Sequence, residues 1–173
     1  DAFTDHLVAA LQAAADRPVV GSYRGRGTLE WKTGAGLLGA GEVIAEALQL
    51  NGIVPGEACL VVPVENSEPD VAAVVVGCII AGCPVLVLPP IDSALPGFAD
   101  IFRRALSITR SRFVILASED VAHMEAAEDA VAGINREPDM VFLGSFAWGF
   151  PLPCLAIPEP VVHKGCRVMQ LTS

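Results

Sequence analysis

The sequence predicts an α/β fold: a layered, mainly parallel sheet flanked by helices, with a small N-terminal hairpin. Three observations predict it. Residues 59–64, 85–88 and 112–116 are strongly apolar, the pattern of strands buried on both faces. Helix-like stretches separate these runs, and such alternation belongs to parallel sheets with helical crossovers. Hydrophobic residues make up 53% of the 173 positions and charged residues 18%, which supplies a real core and excludes general disorder. The chain shows no internal repeat, low-complexity segment or linker, so residues 1–173 read as a single unit.

Taken in order, residues 3–15 read as an amphipathic helix with Phe3, Leu7, Ala10 and Leu11 on one face, capped by Thr4 with Asp5. Residues 18–23 form a strand, Arg24-Gly25-Arg26-Gly27 a turn, and 28–33 (TLEWKT) a second strand, together a hairpin. A helix over 42–50 turns Val43, Ile44, Ala47 and Leu48 inward and stops at Asn51-Gly52. Pro55-Gly56-Glu57 turns the chain into strand 59–64. Asn66 or Ser67 caps the next helix, which has Pro69 in its first turn and ends near Gly82. Strand 85–88 stops at Pro89-Pro90; a helix over 98–108 and the strand RFVIL over 112–116 follow. Ser118, Glu119 and Asp120 open a helix running toward Val131. Pro138, Pro151, Pro153, Pro158 and Pro160 break the pattern over 133–160, leaving short strands at 141–143 and 154–157. RVMQL at 167–171 is the last strand.

Charge excludes one class of partner. Lys plus Arg is 11 and Asp plus Glu is 20, a formal net charge of −9, whereas a phosphate-backbone binder needs a basic surplus; no nucleic acid is expected. Arg103, Arg104, Arg110 and Arg112 read as a solvated helix and strand margin, and Lys32 and Lys164 as solvated surface lysines. Residues 71–88 are an uncharged run of membrane-spanning length, but Pro84 lies within it, Gly77 and Gly82 interrupt it, and no basic cluster flanks it. A helix over 71–81 and a buried strand over 84–88 account for it, with no membrane span. Asp1 and Asp5 stand where a secretory signal needs positive charge, and a cytoplasmic location is expected. A mean hydropathy of +0.53 suggests that some surface normally meets another domain, so the isolated chain is expected to expose an apolar face.

Cys59, Cys78, Cys83, Cys154 and Cys166 form no Cys-x-x-Cys pair and no zinc-ligand spacing, so they read as buried, reduced thiols and no metal site is assigned. Cys83 has no neighbouring His or Lys in sequence to activate it. His6, His123 and His163 are scattered, and no catalytic residue is assigned.

Gly34-Ala35-Gly36-Leu37-Leu38-Gly39 matches G-x-G-x-x-G after a strand and before a helix, as a dinucleotide-binding turn requires, with Glu65 the candidate ribose acid. Against it, the preceding strand holds Glu30 and Lys32 where such a fold has a central apolar strand, a hairpin partner suits a sheet edge, and Glu65 lies far along. The preferred reading is a glycine-rich helix start packed closely on a neighbour.

The order of pieces resembles the front of the adenylate-forming (acyl-activating) superfamily, which includes acyl-CoA synthetases, fatty acyl-AMP ligases and peptide-synthetase adenylation domains. The resemblance runs over residues 28–116 and the final strand. Leu29-Glu30-Trp31 stands for the Leu-Thr-Tyr-like signature, leading to a helix through Ile44-Ala45-Glu46-Ala47-Leu48. Gly52-Ile53-Val54-Pro55-Gly56-Glu57-Ala58-Cys59 matches a Gly-x-x-Pro-Gly-Asp-x-Val turn before a buried strand. Asn66-Ser67-Glu68 leads to an apolar helix ending in Ala81-Gly82, then to Val85-Leu86-Val87-Leu88-Pro89-Pro90. Met169-Gln170-Leu171-Thr172-Ser173 corresponds to the strand that runs into the family's Thr-Ser-Gly-[Thr/Ser]-Thr-Gly phosphate loop, whose first two residues Thr172 and Ser173 match. The sequence departs from the pattern at Glu30 and at the four glycines of the second helix.

The resemblance implies the N-terminal subdomain of an ATP- and Mg-dependent ligase, truncated at the start of that loop. Such a ligase joins a carboxylic acid to AMP and passes the acyl group to CoA, a carrier-protein thiol or another nucleophile. Its partner is then the remainder of its own polypeptide, Thr172 and Ser173 are its cofactor-binding residues, and the fragment alone is expected to bind no cofactor and to be inactive. A dinucleotide-binding oxidoreductase domain and a non-catalytic interaction module of the same fold are the alternatives.

Overall fold

The computed structural model describes residues 1–24, 28–63, 68–89, 97–116, 125, 129, 139–142 and 168–169. The expected strand at 154–157, the start of the helix expected at 118–131, the Arg24–Gly27 turn beyond Arg24, and Asn66 and Ser67 lie outside them.

Helix α1 (Ala2–Ala13) is capped by Asp1, whose Oδ1 accepts from the amides of Phe3 and Thr4 at 3.1 and 3.0 Å. Thr4 and Asp5 therefore sit inside the first turn and do not cap it, because the Asp1 carboxylate already reaches the orphan amides. Leu7, Val8 and Leu11 form its inner face, while Ala10 is exposed and Phe3 is 52% exposed. Strands β1 (Pro18–Arg24) and β2 (Thr28–Thr33) pair antiparallel in a two-stranded sheet of their own, not as an edge of the main sheet. Trp31 lies across Gly21, and a Cβ there would come within 2.7 Å of its ring.

Helix α2 spans Gly34–Leu50 and so absorbs the whole glycine-rich stretch, starting well before the expected Glu42. Thr33 caps it, its Oγ1 accepting from the Gly36 amide at 3.2 Å. Each glycine costs a helix about 1 kcal/mol relative to alanine, and close packing explains two of them. A Cβ on Gly34 would lie 2.4 Å from the carbonyl oxygen of Leu11, and one on Gly41 would lie 2.5 Å from Val76. Ile44, Ala47 and Leu48 are buried as expected, but Val43 is 45% exposed. The helix ends at Asn51 and Gly52, the latter at φ +81°, where a side chain would be strained.

The main sheet comprises β3 (Cys59–Val62), β4 (Val85–Val87), β5 (Phe113–Leu116), β6 (Asp139–Phe142) and β7 (Val168–Met169) in the order β6-β5-β3-β4-β7. Every pairing is parallel. The three apolar runs are adjacent and buried, with Leu60 registered between Leu86 and Val114. Helix α3 (Glu68–Ile80) joins β3 to β4, and helix α4 (Phe98–Thr109) joins β4 to β5. Strand residues alternate between faces, and the packing follows. Cys59, Val61, Val85, Phe113 and Ile115 meet α2 and α3 on one side. Leu60, Val62, Leu86, Leu88, Val114 and Leu116 meet Phe102, Ala105 and Leu106 of α4 on the other. The uncharged run at 71–88 thus divides into helix and strand, and no helix among the described residues is long and apolar enough to cross a membrane.

Candidate functional site

In an open parallel sheet, ligands bind outside the carboxyl ends of the strands, at the point where the strand order reverses. Here β3 and β4 are neighbours; β3 leads into α3 on one face and β4 into α4 on the other. The step from β3 to β4 runs one way across the sheet and the steps to β5 and β6 run the other, so the strand order reverses between β3 and β5 and the switch point lies at their carboxyl ends. Pro63 is buried just past β3, and the Leu88 amide donates to the Val61 carbonyl at 2.9 Å, carrying the ladder to Pro89. Beside β4 runs β7, with Val168 opposite Val85 and Met169 opposite Leu86. Parallel to β4, it runs toward this same edge. Thr172 and Ser173, which the sequence singles out, follow β7 but lie outside the described residues, as does Glu65.

The glycine-rich stretch is not part of this edge. The strand before it belongs to the separate hairpin. The amides that a pyrophosphate would need are already bonded: Gly34 donates to Ala14 and Arg17 carbonyls, Ala35 to Ala15, and Gly36 to Thr33 Oγ1. A helix N-terminus binds anions through free amides, so these geometries leave a dinucleotide without its phosphate cradle.

At the opposite, amino edge the structure holds a feature the sequence reading missed. Arg112 is 2% exposed, not solvated, and Glu57 is fully buried. Arg112 Nε donates to Glu57 Oε1, and its Nη2 donates to Glu57 Oε2 at 2.7 Å and to the Gly52 carbonyl at 3.1 Å. The Val54 amide donates to Glu57 Oε2 at 3.2 Å, and the guanidinium carbon stands 5.4 Å from the Phe113 ring centroid. A bidentate pair with further partners is what keeps buried charges tolerable. The pair ties the end of α2 to the starts of β3 and β5. No local signal marks the pair: Arg110 stands two residues before Arg112, and Glu57 lies 55 residues away in sequence. The other members of the expected basic group, Arg103, Arg104 and Arg110, are exposed, with Arg103 3.4 Å from Asp100.

Cys59, Cys78 and Cys83 are free and fully buried. Hydrogen bonding with Cys78 and then Cys83, followed by burial, pushes the Cys59 thiol well above its ordinary value. Cys83 Sγ faces the Val54 and Ala81 carbonyls at 3.7 and 3.6 Å and is closed to solvent, so it has no reactive exposure. His6 is exposed and Lys32 half-buried; Cys154, Cys166, His123, His163 and Lys164 lie outside the described residues.

Fold and edge together define an open, parallel α/β sheet flanked by helices. Among solved structures, the chain is similar to McyG A-PCP complexed with phenylalanyl-adenylate (TM-score 0.76, 13% identity, 98% of this chain and 26% of that one). It is also similar to fatty acyl-adenylate ligase from L. pneumophila in complex with acyl adenylate and pyrophosphate (TM-score 0.67, 18% identity, 83% of this chain and 23% of that one). A third is O-succinylbenzoate coenzyme A synthetase from Bacillus subtilis in complex with ATP and magnesium ion (TM-score 0.59, 16% identity, 90% of this chain and 36% of that one). At these identities the shared property is the fold: the chain has the fold of a fragment of the adenylate-forming ligases, spanning between about a quarter and about a third of their length. No family model matches the chain, and no curated protein is significantly similar to it.

Proposed function

We propose that residues 1–173 are the N-terminal subdomain of a cytoplasmic, ATP-dependent acyl-activating ligase that forms an acyl-adenylate from a fatty or other hydrophobic carboxylic acid. One observation carries this reading: the hairpin, the helices and the parallel sheet recur together in adenylate-forming ligases, over 98% of this chain in one of them. The direction of β7 supports the rest, since it leads toward Thr172 and Ser173 from the strand edge where such folds bind ligands.

In this reading ATP supplies the phosphorus that the carboxylate attacks, with pyrophosphate leaving. Thr172 and Ser173 contribute hydroxyls that donate to phosphate oxygens, and positioning of those oxygens is the task of the edge. Neutralising the transferring phosphate, with Mg, falls to the remainder of the polypeptide in this reading, as does transfer to CoA or a carrier-protein thiol. The 173-residue chain alone is therefore inactive and carries no bound cofactor.

The test is ATP–pyrophosphate exchange over a panel of carboxylic acids, run on the 173-residue chain and on a longer polypeptide that contains it. The longer protein is expected to exchange with a hydrophobic acid and the shorter one with none. Silence of the longer protein with every acid would refute the ligase, and exchange by the shorter one would refute its role as a fragment.

A further inference from the structure

We draw no further inference here: the strongest candidate, the exposed stripe of Ile101, Arg104 and Ile108 along the outer side of α4, is a surface patch for which nothing in the structure shows what covers it.

Discussion

At the amino edge of the parallel sheet a carboxylate and a guanidinium are buried together, and Thr109 and Ser111 close the turn into β5 with hydroxyl bonds of their own. At the carboxyl edge the neighbouring strands β3 and β4 run out into Pro63 and Pro89, and their connections part to opposite faces. The same strands thus end in two different chemistries. At the amino edge Glu57, Arg112, Thr109 and Ser111 bond one another and neighbouring backbone groups. The carboxyl edge is the one toward which β7 runs, and the proposed function has phosphate-binding hydroxyls act there. Damage at the first should therefore appear as lost stability, and damage at the second as lost rate.

The largest effect is expected from splitting the buried pair. Arg112→Ala leaves the Glu57 carboxylate buried with only the Val54 amide among the hydrogen bonds described for it, and should destabilise the chain by about 3–5 kcal/mol. Arg112→Lys should recover only part of this, because an ammonium cannot make the bidentate contact. Urea denaturation measures both; a loss below about 1 kcal/mol for the alanine variant would mean that the pair does not hold the edge together.

Thr172→Ala in the longer polypeptide is the matching test at the other edge. Loss of one donor to a charged transition state typically lowers the rate about 10²–10³-fold, while the unfolding midpoint should stay unchanged because the residue lies beyond Met169. Exchange kinetics and a thermal melt read the two quantities separately. A fall in stability with no fall in rate would invert the comparison.

Glycines of the helical layer give an intermediate effect with opposite signs. A Cβ on Gly77 would stand 2.6 Å from Ile44 Cγ2 and 2.9 Å from the Gly41 carbonyl oxygen. Gly77→Ala should thus cost about 1–3 kcal/mol from overpacking, which outweighs the gain of about 1 kcal/mol in helix propensity. Gly39 has nothing within 4 Å of that position, so Gly39→Ala should stabilise by about 1 kcal/mol. Equal shifts of the unfolding midpoint in the two variants would remove packing as the reason for the glycines.

The smallest effect near neutral pH belongs to Cys59. Its folded pKa is raised, so the unfolded chain releases that proton first as pH rises. The contribution is fully present below the unfolded thiol value of about 8.5 and is lost above it, with a slope of about 1.4 kcal/mol per pH unit until the folded value is reached. Relative to the parent, Cys59→Ala should flatten the decline of stability between about pH 8.5 and the folded pKa. An unchanged slope would show that the thiol is not held protonated.

Much of the architecture can be read locally. The runs at 59–64, 85–88 and 112–116 were legible as buried strands because residues apolar on both faces have nowhere else to go, and Asn51-Gly52 marked a helix end through the backbone freedom of glycine. Thr172 and Ser173 were singled out only by resemblance, since two hydroxyl residues have no distinctive pattern. A glycine-rich helix start packed closely on a neighbour was legible at Gly34–Gly39, but not which neighbours it meets, which are α1 at Gly34 and α3 at Gly41. Nor was the burial of Arg112: four arginines within ten residues resemble a wet surface, and the carboxylate that draws one of them inside is Glu57, 55 residues away. Hydrophobic period and turn chemistry act between near neighbours and so are written along the chain. Close helix approach and charge pairing depend on which distant segments share a sheet edge, and folding alone brings those together.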